Sequence, residues 1–372
     1  MRKDIKYWVS FNAVPGIGRV RFSQLESYFD SLEDAWKADT AVLKKAGLDR
    51  NAIKAIAEWR SRISPEEAMQ KLEKYGIKAY TRHDDEYPER LKEIYDYPPL
   101  IYVRGSVIAE DEWCLAVVGT RRPTVYGRQV AEELVTELVR NKITIVSGLA
   151  KGIDTIAHRA ALEAGGRTIA VTGGGLDSVY PAENAELARS IIKQGAMVSE
   201  YYPGTRPRPE NFPRRNRILS GMCLGVLVIE AGENSGALIT ARLALEQNRE
   251  VLAVPGSILS PASIGTNQII KEGARLVRDA NDILEELNLT AVAEQIEMKE
   301  IIPSSDTEAQ LLKKLGAEPL HIDEVCRSSG MPMSVVSSTL AMMELKGMVR
   351  QVGIMNYVIC REAREKYTVE VD

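Results

Sequence analysis

From about residue 113 to residue 285 the chain alternates two kinds of segment. Short runs that are apolar at nearly every position predict strands over 114–118, 143–146, 168–171, 197–199, 224–229 and 251–254. Between them lie stretches with apolar residues at helical spacing, such as 128–140, where Val130, Leu134, Val135 and Leu138 share one face. Strands that are apolar on both faces, separated by amphipathic helices, predict a parallel sheet with helices packed on both sides.

The flanks follow other patterns. Residues 1–75 read as short helices, with Leu25, Tyr28, Phe29 and Leu32, then Ile53, Ile56 and Ala57, at helical spacing. Between the first two sits Val14-Pro15-Gly16-Ile17-Gly18, the hairpin of a helix-hairpin-helix unit. Its glycines allow a tight turn and expose amides at the next helix start, which suits a phosphate and reads no base; a plain helical bundle with a tight turn fits equally. Residues 76–112 connect this region to the sheet and end in a strand at 100–103. Residues 286–303 are Glu-rich and close with Pro303, as a linker would. The remainder, 304–372, predicts helices over 306–315, 322–329 and 334–346, then a hairpin of 348–352 and 356–359 turning at Gly353. That order is a winged helix-turn-helix.

Composition narrows the function classes. A chain of 372 residues supports two to three domains of about 150 residues each. The net charge of −4 announces no nucleic-acid binder, so any basic surface is local. Cys114, Cys223, Cys326 and Cys360 lie too far apart for a zinc ribbon or a disulfide framework, and His83, His158 and His321 form no metal-ligand pair. No metal or other cofactor is expected. No apolar run approaches 18 residues and none follows the charged N-terminus, so a reduced, cytoplasmic protein without membrane insertion is expected. No Lys precedes a Ser or Thr, which removes the GxxxxGK[ST] phosphate loop, and GxGxxG, HExxH and GxSxG are missing too.

Candidate chemistry gathers where the strands end. In a parallel sheet, ligands bind outside the carboxyl ends of the strands. Here those ends run into Gly119-Thr120-Arg121-Arg122, into Ser147-Gly148-Leu149-Ala150-Lys151-Gly152-Ile153-Asp154, and into Thr172-Gly173-Gly174-Gly175-Leu176-Asp177. Glycines let backbone approach an anion, the following helices add positive dipole ends, and Arg121 and Lys151 reinforce the same site. A tight turn alone would explain one such loop, but three adjacent loops with basic residues favour anion binding. A second basic stretch holds Arg206, Arg208, Arg214, Arg215 and Arg217 with Phe212 and Asn216, at a local net charge of +3 over residues 200–220. Arginines beside an aromatic suit a single strand, whose phosphates they track while the ring stacks a base. Asp154, Asp177 and Glu230 form no catalytic pair, and the two aspartates also suit helix caps.

These residues resemble the DNA-processing protein A family (DprA/Smf). The resemblance rests on Val118-Gly119-Thr120-Arg121, on 147–154, on GGGLDSVYPAEN at 173–184, on FPRRNRILSG at 212–221 and on SGALITARLALEQNREVLAVPGSI at 235–258. It implies an α/β architecture: a helix-hairpin-helix or SAM-like domain over 1–75, an extended Rossmann-like core over 76–285, and a winged-helix domain over 304–372. It implies single-stranded DNA as ligand, dimerisation, and loading of a RecA-type recombinase onto incoming DNA in natural transformation, with a single-strand-binding protein as a further candidate partner and no enzymatic activity. DNA contacts carry over to Arg121, Lys151, Asn184, Phe212 and Asn216; Ala182 stands where some relatives have Lys, a place Arg206 or Arg208 could fill. The dimer contact carries over to the segment holding Ile264, Ile269, Ile270 and Leu276. The alternative is a Rossmann-like nucleoside-monophosphate hydrolase of the LOG type, but 230–240 lacks that family's PGGxGTxxE glycine pair and glutamate. The C-terminal helix 334–346 has only Lys346 as a basic residue, and Met342 with Met343 suggests a protein contact rather than a DNA groove.

Overall fold

The structure, a computed structural model, describes residues 4–289, 305–315, 319–345, 349–351 and 355–359. It divides into two compact units, Met1–Leu287 and Asn288–Asp372.

The first unit opens with six helices: α1 (Ile5–Ala13), α2 (Arg19–Tyr28), α3 (Leu32–Lys37), α4 (Thr40–Lys45), α5 (Arg50–Arg60) and α6 (Pro65–Lys74). Helices this short do not hold alone, so caps and packing carry them. Ser31, Asp39, Asp49 and Ser64 each accept a backbone N–H at a helix start, and Ser64 with Glu67 completes a capping box ahead of Pro65. Trp8 stacks on Phe22 with ring centres 5.4 Å apart, and Phe11 meets the edge of Trp36 at 4.9 Å. The predicted hairpin joins α1 to α2, with Gly16 at φ +84°, where a side chain would be strained. Arg21 ties it down by donating to Gly16 O and to Asp49.

The core is a nine-stranded sheet among the described residues, ordered β1-β2-β6-β5-β4-β3-β7-β8-β9. Its strands are β1 (Lys78–Thr81), β2 (Leu100–Gly105), β3 (Cys114–Val118), β4 (Thr144–Ser147), β5 (Thr168–Val171), β6 (Ala196–Ser199), β7 (Gly225–Val228), β8 (Glu250–Ala253) and β9 (Arg275–Leu276). Strands β3 to β9 run parallel, as the apolar runs predict for β3 to β8, while β2 pairs antiparallel with β6 and β1 with β2. The helices are α7 (Glu89–Glu93), α8 (Val125–Arg140), α9 (Ile153–Glu163), α10 (Ala185–Gln194), α11 (Asn211–Gly221), α12 (Gly236–Glu246), α13 (Ile264–Lys271) and α14 (Ala280–Glu286). One face of the sheet is continuous with the helical N-terminus: Tyr102, Ala170, Met197 and Tyr202 share a cluster with Trp8 and Leu72, and Tyr102 donates to Asn12 Oδ1 at 2.7 Å.

The chain winds outward from β3 in both directions, to β4 on one side and to β7 on the other. A crevice opens at such a switch point.

The second unit holds α15 (Asp306–Leu312), α16 (Ile322–Ser329) and α17 (Met333–Leu345) with an antiparallel sheet of β10 (Leu320–His321), β11 (Val349–Gln351) and β12 (Asn356–Ile359) in the order β10-β12-β11. This is a winged-helix domain. Its core buries Leu311, Val325, Val336, Leu340, Met343 and Tyr357. That corrects one expectation: Met343 is buried, whereas Met342 is exposed, because α17 turns the first toward Leu340 and Val336. Linker positions 290–303, Lys346, Met348, Val352 and the turn at Gly353 lie outside the described residues. Among the described residues no helix is long and apolar enough to cross a membrane.

Candidate functional site

A cleft of about 800 Å³ opens at the carboxyl ends of β3 and β7. Gly119, Thr120 and Arg121 line it after β3, and Ala150 and Asp154 line it at the start of α9. Phe212, Arg215 and Asn216 face it from α11, Glu233, Asn234, Ser235 and Gly236 from the loop that opens α12, and Tyr180 lines it too. The loops hold one another. Thr120 N–H donates to Glu230 O at 2.7 Å, and Ile153 N–H donates to Thr120 O at 3.2 Å. Gly152 has φ +81° and lies so close to Thr120 O that a Cβ would collide.

Beneath the cleft lies a buried polar network. Arg215 is 5% exposed and donates from Nη1 to Gly148 O at 2.8 Å and to Val171 O, tying α11 to the ends of β4 and β5. Buried Asp154 accepts from Gly148 N–H at 3.1 Å and Ala150 N–H at 3.3 Å. Burial pushes the Asp154 carboxyl up, and the Arg215 charge pulls it back. Burial likewise lowers Arg215. Glu230, at the end of β7, is buried with one oxygen accepting from Thr124 Oγ1 at 2.6 Å and the other from Thr124 N–H at 2.9 Å. Both candidate acids are therefore struts. What remains open to a ligand is Arg121, the Phe212 and Tyr180 rings, and the exposed polar residues Glu233 and Asn234 before α12. Arg121 is exposed and makes no ion pair among the described residues. The Phe212 ring lies 5.8 Å from that of exposed Tyr180, tilted by 34°.

Residues 78–288 match the family described as DNA recombination-mediator protein A, and residues 298–353 match the DprA winged helix domain. Protein Smf of Escherichia coli is 39% identical over 84% of this chain and 86% of its own length. The DNA processing protein DprA of Bacillus subtilis is 40% identical over 68% of this chain and 88% of its own. The chain belongs to the DNA recombination-mediator protein A family. The solved structure of DprA from Streptococcus pneumoniae superposes with a TM-score of 0.66 at 37% identity, covering 76% of this chain and 97% of that one. A Helicobacter pylori DNA processing protein A, described for its single-stranded DNA binding mode, gives 0.52 at 29% identity over 57% and 95%.

Within this family member the sequence-derived candidates divide into two groups. Gly119, Thr120, Arg121, Phe212 and Asn216 come together on the cleft wall. Lys151, Arg206, Arg208 and Arg214 are exposed. Lys151 is held by Glu183 at 2.5 Å, and Arg208 approaches Glu210 at 3.8 Å. The second group faces inward. Ser147 Oγ donates to Val117 O at 2.6 Å, Gly148 is filled by the Arg215 guanidinium, and Gly174 O accepts from Ser199 Oγ at 2.8 Å. Asn184 is 2% exposed, its amide donated to Leu149 O at 3.0 Å and Thr155 Oγ1 at 2.9 Å. Arg217 is clamped by Glu200 at 2.5 Å and Asp96 at 3.0 Å. In this structure the side chains of Asn184, Arg215 and Arg217 thus have partners within the protein, because each stitches a loop end to a neighbouring element. Asp177 caps no helix; its carboxylate accepts from Gly204 N–H at 2.7 Å.

Tyr180 and the start of α12 are lining elements that sequence reasoning did not single out. The exposed ring following a glycine-rich loop was the available signal for Tyr180. At the far edge, β9 leaves Leu276 exposed, with Ile264 exposed nearby and Ile269 and Ile270 half-buried.

Proposed function

We propose that this protein binds single-stranded DNA along the carboxyl edge of its sheet, protects it, and loads a RecA-type recombinase onto it during recombination and natural transformation. The observation that carries this is the cleft wall itself, where unpaired Arg121 and the Phe212–Tyr180 pair face one space. A phosphate suits the first and an unpaired base the second, whereas a duplex keeps its base faces stacked inside. The relatives named for DNA processing, and the Helicobacter pylori protein described for binding single strands, support the same reading.

The ligand contacts assigned are Arg121, Phe212, Asn216 and the glycine loop at Gly119, with Lys151, Arg206, Arg208 and Arg214 guiding the backbone. Arg215, Arg217 and Asn184 act as positioning residues. A two-fold dimer would form at the β9 edge around Leu276, with Ile264, Ile269 and Ile270 beside it. No catalytic step is assigned, since Asp154 and Glu230 are both occupied as struts. The test is recombinase nucleation on DNA coated with single-strand-binding protein: wild type should shorten the lag and Arg121→Ala should not. An unchanged lag with wild type would remove the loading role, and release of free base from a nucleotide would restore the hydrolase reading.

A further inference from the structure

The carboxyl edge of the sheet does not end at the cleft. Because β2 runs antiparallel to β6, with Tyr102 opposite Ser199, the segment entering β2 lies beside the end of β6 on that same edge. This segment, residues 95–99, presents Tyr95 at 85% exposure. The Arg19 guanidinium, from the start of α2, lies over the Tyr95 ring at 4.5 Å and over the Tyr97 ring at 5.5 Å. Arg19 makes no ion pair among the described residues, and its Nε has no hydrogen-bond partner. A bridge joins the two places: Arg217 on α11 binds Asp96 at 3.0 Å, and α11 is the helix that carries Phe212 and Asn216 on the cleft wall. Asp96 also borders the hollow of about 410 Å³ beside Gly18 and Arg19.

One face of the exposed Tyr95 ring is already backed by the Arg19 cation. Asp96 and Glu200 are both engaged by Arg217, and Arg214, whose charge also acts on Glu200, is exposed. A strand crossing this stretch therefore meets neutralised carboxylates and two available guanidinium groups, those of Arg214 and Arg19.

We infer that Tyr95 and Arg19 form a second base-stacking subsite for single-stranded nucleic acid, occupied by a strand that leaves the cleft across α11. Tyr95 stacks an unpaired base on its open face, and Arg19 adds charge behind the ring. This rests on the reading of the cleft given above, and it makes the N-terminal helical region part of the DNA path.

The subsite predicts a length dependence. With an oligothymidylate of about 6 nucleotides, which a single groove accommodates, Tyr95→Ala should bind as wild type. With one of about 20 nucleotides it should bind about fivefold more weakly or worse, the scale of one lost base–aromatic stack. Tyr95→Trp should restore the long-oligonucleotide affinity, and Arg19→Ala should reproduce part of the loss. Wild-type affinity of Tyr95→Ala for both lengths, or an equal loss at both, overturns the subsite. Arg121→Ala separates the two claims: a loss at both lengths upholds the cleft, and no loss at either length overturns the cleft reading and this one together.

Discussion

Replacing Arg215 with Met asks whether that arginine holds the site or touches the ligand. The substitution keeps length and apolar volume and removes the guanidinium that donates to Gly148 O at 2.8 Å and to Val171 O. Charge-assisted hydrogen bonds contribute about 1.5–3 kcal/mol each. Asp154 would also lose the larger of the two positive charges that offset its burial, keeping only that of Arg121. Leaving a buried charge uncompensated costs about 3–5 kcal/mol. Asp154 keeps its two amide donors and can take up a proton, so a net loss of about 3 kcal/mol is expected, at the low end of that range. The sign with pH follows. An acid whose folded pKa is raised is penalised while ionised, above the ordinary carboxylate range, and the penalty fades as pH falls toward that range. The deficit of Arg215→Met should therefore be full at neutral pH and shrink on acidification. All four tryptophans, Trp8, Trp36, Trp59 and Trp113, belong to the first unit, so their fluorescence in a urea titration reports that unit alone. A destabilisation under about 1 kcal/mol, together with a tenfold or greater loss of single-strand affinity, would refute the positioning role and make Arg215 a contact.

Other outcomes follow from the same structure. Arg121→Ala should weaken binding across all sequences and lower the salt slope by roughly 0.7, the value for one phosphate contact on a single strand; an unchanged slope removes it from the contact set. Glu183→Gln frees Lys151 from its 2.5 Å partner and should tighten binding at low salt; no change would mean that Lys151 faces no phosphate. Thr168 Oγ1 donates to Ile145 O, so His158 donates to it from Nδ1, and its Nε2 is left without a partner. Burial holds His158 down at about pKa 3, so its stabilising contribution is full above about pH 6.5 and is lost as pH falls toward 3, at up to about 1.4 kcal/mol per pH unit. His158→Gln should flatten that slope in urea titrations, and an unaltered slope contradicts the assignment. Leu276→Arg should give a folded monomer by sedimentation, whereas a folded dimer counts against the β9 edge. Removing residues 290–372, beyond the first compact unit, should leave single-strand affinity within about threefold, and a tenfold loss would bring the winged helix into contact with DNA.

The parallel core was legible because its strands are buried on both faces: 114–118 is apolar throughout, and 168–171 is apolar but for Thr168. The outer strands were not. Strand β1 alternates exposed Lys78 and buried Ala79, and β9 is two exposed residues at an edge, so neither carries an apolar run. Helix α8 begins at Val125 rather than 128 because Thr124, anchored by Glu230, caps it, and that partner lies far along the chain. The same limit applies to the site. Glycine loops and Arg121 announce themselves at strand ends, but Arg214 and Arg215 are adjacent arginines with opposite fates. Only the fold shows that the first meets solvent while the second meets the carbonyls of Gly148 and Val171.

The central claim is that an unpaired strand, not a duplex, lies along this edge. The most direct measurement is the affinity of the full chain for single- and double-stranded DNA of equal length, titrated across salt. Binding to the single strand should be tighter at every salt concentration, with log K falling linearly against log salt at about −0.7 per phosphate contacted. Equal affinity for both forms, or single-strand binding that ignores salt, would contradict it.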